Sequence, residues 1–342
     1  MSFTRIRPLP SPEEIQALLP VPKELLPIKD QRDTELRAIF ERKSDKFLVI
    51  IGPCSAHNED AVCEYVNRLA KLQEAVSDKL LLVPRIYTNK PRTTGEGYKG
   101  MAHQPDPEGE PNIVEGIQAI RKMQIRAFQE SHLTAADEML YPSNLPYVED
   151  ILSYIAVGAR SVENQNHRLT VSGVDVPVGM KNPTGGDLDV MFNAVYAAQM
   201  PHVFVYNGWE VSTSGNPLAH AVLRGLTLGG RSLPNYHFED LTYISEQYLA
   251  RKLVNPTIVV DTNHNNSNKL FREQPRIGLE VMRSRKHSEL LNKMVRGLMV
   301  ESYLIEGSQK SDGGIFGKSI TDPCLGWEDS EKFLKELADH VS

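Results

Sequence analysis

Short unbroken apolar runs alternate with helical stripes along most of the chain. The run Phe47-Leu-Val-Ile-Ile51 carries no polar residue, which is the pattern of a strand buried on both faces. From Glu59 onward the apolar positions fall at Val62, Tyr65, Val66, Leu69 and Leu72, a helical stripe opened by acids. Residues 80–86 predict a second strand, and 113–128 a helix with Ile113, Ile117 and Ile120 on one face. Further strands are predicted at 134–138, 155–160, 176–181, 202–206, 257–261 and 297–302. Helical patterns at 188–198, 238–253, 276–294 and 330–341 separate most of them.

Eight strands alternating with helices predict an α/β fold, a (β/α)8 barrel of the TIM type. A doubly wound open sheet is the runner-up. No Gly-x-Gly-x-x-Gly follows the first strand, which counts against its dinucleotide-binding form. The first forty residues are proline-rich, and 35–42 reads as a short helix, so 1–44 is expected to be an N-terminal arm and 45–342 the catalytic barrel. The stretch 208–234, rich in Gly, Ser and Asn, predicts an inserted loop or hairpin over one end of the barrel.

Composition narrows the function. No apolar run reaches the roughly 18 residues that a membrane helix needs, and residues 1–10 lack a signal-peptide core. The three cysteines, Cys54, Cys63 and Cys324, form no disulfide framework. A cytoplasmic protein with no membrane partner is expected. A formal net charge of −6 argues against a nucleic-acid partner. In so acidic a chain, cations that converge on one place imply an anionic ligand.

In such barrels the chemistry sits at the carboxyl ends of the strands. The first strand runs into Gly52-Pro-Cys54-Ser, and the second carries Arg85 with Lys90-Pro-Arg92-Thr-Thr in its loop. The third ends at Asp137-Glu138, the fourth at Gly158-Ala159-Arg160 and the fifth at Lys181-Asn182. Arg224 lies past the sixth. The seventh ends in Asp261-Thr-Asn-His264 and the eighth in Glu301-Ser302, with Asp322 beyond. Arg85, Lys90, Arg92, Arg160, Lys181 and Arg224 thus form one group, suited to phosphate and carboxylate. Cys54, His264, Glu301 and Asp322 form another, whose mixed donors suit one divalent ion such as Mn, Fe, Co or Zn better than Mg or Ca. Each residue has an ordinary reading by itself: a buried thiol is a small hydrophobe and a lone Lys is a solvated surface group. Their recurrence at nearly every strand end is what those readings leave unexplained.

These residues carry a resemblance. Ile51-Gly-Pro-Cys-Ser55, Lys90-Pro-Arg-Thr-Thr94, Gly158-Ala-Arg160, Pro177-Val-Gly-Met-Lys-Asn182, Leu223-Arg-Gly225, Met299-Val-Glu-Ser302 and Gly317-Lys-Ser-Ile-Thr-Asp322 are similar to segments of the class I 3-deoxy-D-arabino-heptulosonate 7-phosphate synthases, also called phospho-2-dehydro-3-deoxyheptonate aldolases. The similarity runs from about residue 11 to the end of the sequence. It implies condensation of phosphoenolpyruvate and erythrose 4-phosphate with water, the entry to the shikimate pathway. It also implies that Cys54, His264, Glu301 and Asp322 hold the metal. Arg85, Lys90, Ala159, Arg160, Lys181 and Arg224 resemble the phosphoenolpyruvate site, and Arg92 and Thr93 the groups that hold the aldose phosphate. Glu138 resembles the residue that positions water at C2, Lys90 is the candidate proton donor, and Lys181 is counted with them as catalytic. The family implies a homodimer or homotetramer.

The sequence departs from the family in two places that matter below. Thr262-Asn-His-Asn265 replaces the more usual Phe-Ser-His-Ala, and Asp175 stands where a serine helps to form an inhibitor pocket. A carboxylate there predicts weak or altered feedback by aromatic amino acids. The competing readings are a related synthase that uses another aldose phosphate, and a non-catalytic barrel that binds phosphorylated ligands.

Overall fold

The structure, a computed structural model, describes residues 2–92 and 94–341. Its main sheet has eight parallel strands: β1 (Phe47–Gly52), β2 (Leu80–Pro84), β3 (Ala135–Glu138), β4 (Leu152–Val157), β5 (Val178–Lys181), β6 (Ala219–Leu223), β7 (Ile258–Asp261) and β8 (Val295–Glu301). β1 pairs with both β2 and β8, so the sheet curls on itself. A parallel bridge between Arg85 and Ala136 closes the ring, with Ile86 N donating to Ala136 O at 2.9 Å. The helices between strands, among them α3 (Glu59–Val76) and α4 (Ile113–Ser131), bury their apolar stripes on the outside of the barrel. Asn58 and Asn112 cap these two helices by accepting from Ala61 N and Glu115 N. Among the described residues no helix is long and apolar enough to cross a membrane.

The N-terminal segment is more ordered than its prolines suggest. It forms one helix at Pro12–Leu18 and a longer one, α2, at Leu26–Phe40, where only 35–42 was predicted. Leu36, Ile39 and Phe40 of α2 join Leu48, Ile50, Leu81, Val83, Ala136, Tyr154, Val222 and Met299 in one buried cluster. The floor of the barrel is therefore sealed by α2, with the Phe40 ring centroid 4.5 Å from that of His220.

The sixth strand corrects the sequence-based expectation. Residues 202–206 do not enter the barrel. Val203–Tyr206 pairs antiparallel with Trp209–Ser212 in a hairpin outside it, and Val203 and Val205 face solvent. The barrel strand is Ala219–Leu223, inside the stretch 208–234 that reads as an insertion. His220, its second residue, disguises it. Buried polar groups need partners, and His220 has two: its Nε2 lies 2.8 Å from Tyr154 Oη and its Nδ1 2.9 Å from Leu218 O. Burial drives its pKa down to about 4, so the ring is neutral. The predicted insertion is met in part by a second hairpin, Leu226–Leu228 with Arg231–Leu233, directly after β6. The predicted helix 276–294 is two helices, Gln274–His287 and Glu289–Met294, divided where Ser288 takes an extended conformation and caps the second.

Candidate functional site

Side chains alternate across a strand, so the inward positions of each strand can be followed toward its carboxyl end. Leu81 and Val83 lead to Arg85, Ala136 to Glu138, Val222 to Arg224, Val259 to Asp261, and Met299 to Glu301. Gly179 leads likewise to Lys181. The same period that builds an apolar core lower down thus stacks charges at the barrel mouth. Small residues make the room: a Cβ on Gly158 would lie 2.1 Å from Glu138 Oε1, and one on Gly179 would lie 2.2 Å from the Tyr154 hydroxyl.

Cys54, Glu301 and Asp322 come together with one ligand atom each, all within 4.8 Å of one another. Cys54 Sγ is 3.6 Å from Asp322 Oδ2, although the two lie 268 residues apart in sequence. His264 stands beside this group and is not part of it: its Nε2 is 3.9 Å from Glu301 Oε1. The residues fit a divalent cation on three observations. Glu301 Oε1 is buried and, although 2.8 Å from Arg85 Nη2, receives no bond of hydrogen-bond geometry. The Lys90 ammonium stands in for a cation, 2.5 Å from Cys54 Sγ and 3.4 Å from Asp322 Oδ2. The donors are a thiol and two carboxylates, a mixed set suited to a transition metal. Burial, and then the Glu301 charge, push the Cys54 thiol up, so the thiolate needs a nearby positive charge. Burial opposes the Asp322 carboxylate as well, but Lys90 and Lys269 outweigh it and its pKa is lowered.

Next to this group opens a cleft of about 280 Å³, the size of a small-molecule site. Arg85, Lys90, Arg92, Arg160, Lys181, Arg224 and Lys269 line it, facing the carboxylates Glu96, Glu138 and Asp322. Seven cations against three acids make the mouth positive in a negative protein. Arg85 is buried, pairs with Glu301 at 2.8 Å and stacks on Tyr87 at 3.8 Å. Burial disfavours its charge, and Glu301 more than restores it. Lys181 pairs with Asp261 at 3.0 Å. Arg224 donates to Asn265 Oδ1 at 2.8 Å, and Arg92 to Tyr98 O at 2.8 Å. Ala159 and Glu138 line the same cleft, while Thr93 lies outside the described residues.

Several residues here carry no role in the sequence reading. Asp261 ends β7 inward, and the alternation Val259, Asp261 is the signal that would have found it. Lys269 reaches Asp322 Oδ1 at 2.9 Å from a left-handed backbone (φ 59°), which no spacing rule anticipates. Asn263 donates to Glu301 Oε2 at 2.6 Å. Asn265 donates to Thr227 Oγ1 and Ser232 Oγ, both at 2.9 Å. These two asparagines, with Thr262, are the positions where the loop departs from its resemblance.

The chain matches the model of the DAHP synthetase I family over residues 26–335. It is 38% identical over 314 residues to the Phe-sensitive phospho-2-dehydro-3-deoxyheptonate aldolase of Escherichia coli (strain K12), covering 90% of this chain and 87% of that one. With the Trp-sensitive enzyme of the same name from Enterobacter agglomerans it shares 36% over 346 residues, covering 99% and 96%. The solved structure of phospho-2-dehydro-3-deoxyheptonate aldolase from Francisella tularensis SCHU S4 superposes with a TM-score of 0.92 at 30% identity, over 99% of this chain and 98% of that one.

Proposed function

The chain belongs to the DAHP synthetase I family, and from that premise we propose that its cationic barrel mouth is where it joins phosphoenolpyruvate to erythrose 4-phosphate. It is a 3-deoxy-7-phosphoheptulonate synthase. C3 of phosphoenolpyruvate bonds to the aldehyde carbon, water adds at C2, and inorganic phosphate leaves. The product is the seven-carbon sugar acid phosphate that opens the route to the aromatic amino acids.

Arg85, Arg160, Lys181 and Arg224 bind the carboxylate and phosphate of phosphoenolpyruvate, with Lys90 at the edge and Ala159 as a small wall. A substrate with two anionic groups loses much hydration on entry, and several fixed cations offset that loss. Arg92 and Thr93 hold the phosphate of the aldose. Glu138, with Gly158 leaving space at its carboxylate, orients the water that attacks C2. Lys90 lies between the two substrates and carries the proton to the aldehyde oxygen. Burial works against its ammonium, and Cys54 and Asp322 outweigh that effect, so it keeps its proton until substrates and metal redistribute the local charge. Cys54, His264, Glu301 and Asp322 hold one divalent ion, Mn, Fe, Co or Zn. When bound it supplies Lewis acidity at the aldehyde oxygen.

The convergence of Cys54, Glu301 and Asp322 within 4.8 Å beside the seven-cation cleft is the observation that carries this reading. The test is loss of the enolpyruvyl absorbance when protein, phosphoenolpyruvate, erythrose 4-phosphate and Mn²⁺ are mixed. Consumption is expected, and a strong chelator should stop it. Activity indifferent to the chelator counts against the metal site. Cys54→Ala should lose bound metal while keeping its fold. The protein works in the cytoplasm as a homodimer or homotetramer, without nucleic-acid or membrane partners. Exposed Phe3, Ile6 and Leu9 on the arm 1–44 supply surface for exchange between subunits. Light scattering that gives a monomer at micromolar concentration would count against that assembly.

A further inference from the structure

One carboxylate oxygen serves both halves of the site. Asp261 is fully buried at the inward end of β7. Its Oδ2 lies 3.0 Å from Lys181 Nζ and 2.8 Å from His264 Nδ1. Its Oδ1 accepts from Asn263 N at 3.0 Å, which fixes the plane of the carboxylate. Among the described residues it is the carboxylate that Lys181 pairs with. We propose that Asp261 is a positioning residue through which phosphoenolpyruvate and the divalent cation each tighten the other's binding. The proposal rests on the preceding reading of Lys181 as a substrate clamp and His264 as a metal ligand.

The coupling follows from the shared oxygen. With Nδ1 turned toward Asp261, the ring presents Nε2 toward Glu301, the side where Cys54 and Asp322 also converge. A carboxylate held against the far nitrogen of a metal-binding imidazole, here by charge at 2.8 Å, favours that orientation and raises the ring's basicity. In the free protein that carboxylate divides its negative charge between the ring and the Lys181 ammonium. When a phosphate or carboxylate of the substrate draws Lys181 away, Oδ2 is left to the imidazole alone, and Nε2 becomes a better donor to a cation. In the other direction, a cation on Nε2 would make the Nδ1 side of the ring more positive. Oδ2 is then drawn to the ring, and the Lys181 ammonium is released toward the cleft. Equilibrium linkage requires the two effects to be equal in size.

The experiment uses Mn²⁺ binding to the metal-free protein, followed by the electron spin resonance of free Mn²⁺, with and without phosphoenolpyruvate. No aldose phosphate is present, so there is no turnover. In the natural protein phosphoenolpyruvate should tighten Mn²⁺ binding by at least about fivefold. Asp261→Asn, close in shape, should weaken Mn²⁺ by roughly 10–100-fold, and the tightening by phosphoenolpyruvate should fall to less than half its natural factor. A merely structural defect lowers both affinities and leaves that factor alone. An undiminished factor in Asp261→Asn, or no effect of phosphoenolpyruvate in the natural protein, overturns the proposal. Should Asp261→Asn fail to fold, as judged by its thermal melt, Asp261→Ser takes its place with the same expected loss. His264→Ala separates the two readings. Natural Mn²⁺ affinity in that variant removes His264 from the metal site, and with it the premise.

Discussion

At the scale of single residues, Asp137 shows how the site is stiffened without touching its cleft. Its carboxylate accepts from Thr88 N at 2.9 Å, Thr88 Oγ1 at 2.5 Å, Gln124 Nε2 at 3.2 Å and Glu138 N at 2.7 Å. Thr88 leads directly into the segment that carries Lys90, and Glu138 is the next residue, so one buried acid ties two proposed catalytic groups together. Burial is the largest influence and pushes this acid up from 3.8 to about 7, against the pull of its donors. Between those two values the folded protein binds a proton that the unfolded chain has lost. Stability therefore falls as pH rises through that window and is level above it, with a cost on the order of 4 kcal/mol at high pH. In urea denaturation, the stability of Asp137→Asn relative to the natural protein should rise as pH goes from 4 to 7. A difference that stays constant with pH would remove Asp137 as the titrating group.

At the scale of elements, the hairpin Leu226–Leu228 with Arg231–Leu233 is fastened to the site by Asn265. That side chain accepts from Arg224 and donates to Thr227 and Ser232, so it spans from clamp to hairpin. Asn265→Ala should leave Arg224 in place but looser. The KM for phosphoenolpyruvate should rise about five- to twentyfold, from the loss of one hydrogen bond to a charged group, while kcat changes little in steady-state assays. Helix α2 is the other element with a measurable weight. Phe40→Ala opens the sealed floor and should cost about 3–5 kcal/mol in denaturant unfolding. Both elements are legible in the sequence only in part: the hairpin as an insertion within 208–234, and α2 as a shorter helix at 35–42. Seven barrel strands are legible because short, mostly apolar runs alternate with helical stripes. The eighth escaped because His220 breaks its run, while Val203-Phe-Val-Tyr206 outside the barrel imitates a buried strand. The mouth residues were legible because strand ends are where a barrel keeps its chemistry. Lys269 and Asn265 are not, because their importance lies in partners that only the closed ring brings near, whereas the alternation at the end of β7 already points to Asp261.

Across the whole molecule, a net charge of −6 surrounds a mouth lined by seven cations. Such a field focuses anions into the cleft and is screened by salt. Raising ionic strength from 0.05 to 0.5 M should lower kcat/KM for phosphoenolpyruvate several-fold and leave kcat nearly unchanged. A kcat that falls in parallel would mean that salt acts on the chemistry instead. On the flank, Asp175 is exposed, and its backbone oxygen accepts from Arg37 Nη2 at 2.9 Å, which joins it to α2. The nearby cavity between Leu145, Val174, Phe204 and Val211 also contains the carboxylate of Glu149, whose pKa burial and then Asp150 and Asp175 raise. Two acids at or beside this partly apolar cavity disfavour the carboxylate of an amino acid. Phe, Tyr and Trp at 0.1 mM should each inhibit by less than half, and Asp175→Ser should increase the inhibition. Strong inhibition of the natural protein by any of the three would contradict this.

The sealed floor also sets an order of events while the protein is being made. Helix α2 leaves the ribosome before any strand it covers. Arg42 Nη2, just past its end, donates to Pro256 O, 214 residues later, and Ser44 O accepts from Arg296, 252 residues later. The early strands β1 to β4 supply most of the side chains that pack with Leu36, Ile39 and Phe40, but Val222, Val259 and Met299 complete the cluster only late in translation. A nascent chain of this protein therefore carries an apolar segment whose cover is finished only by its late strands. In stalled ribosome complexes of increasing length, amide protection of α2 should reach its full extent only once β8 has emerged from the exit tunnel.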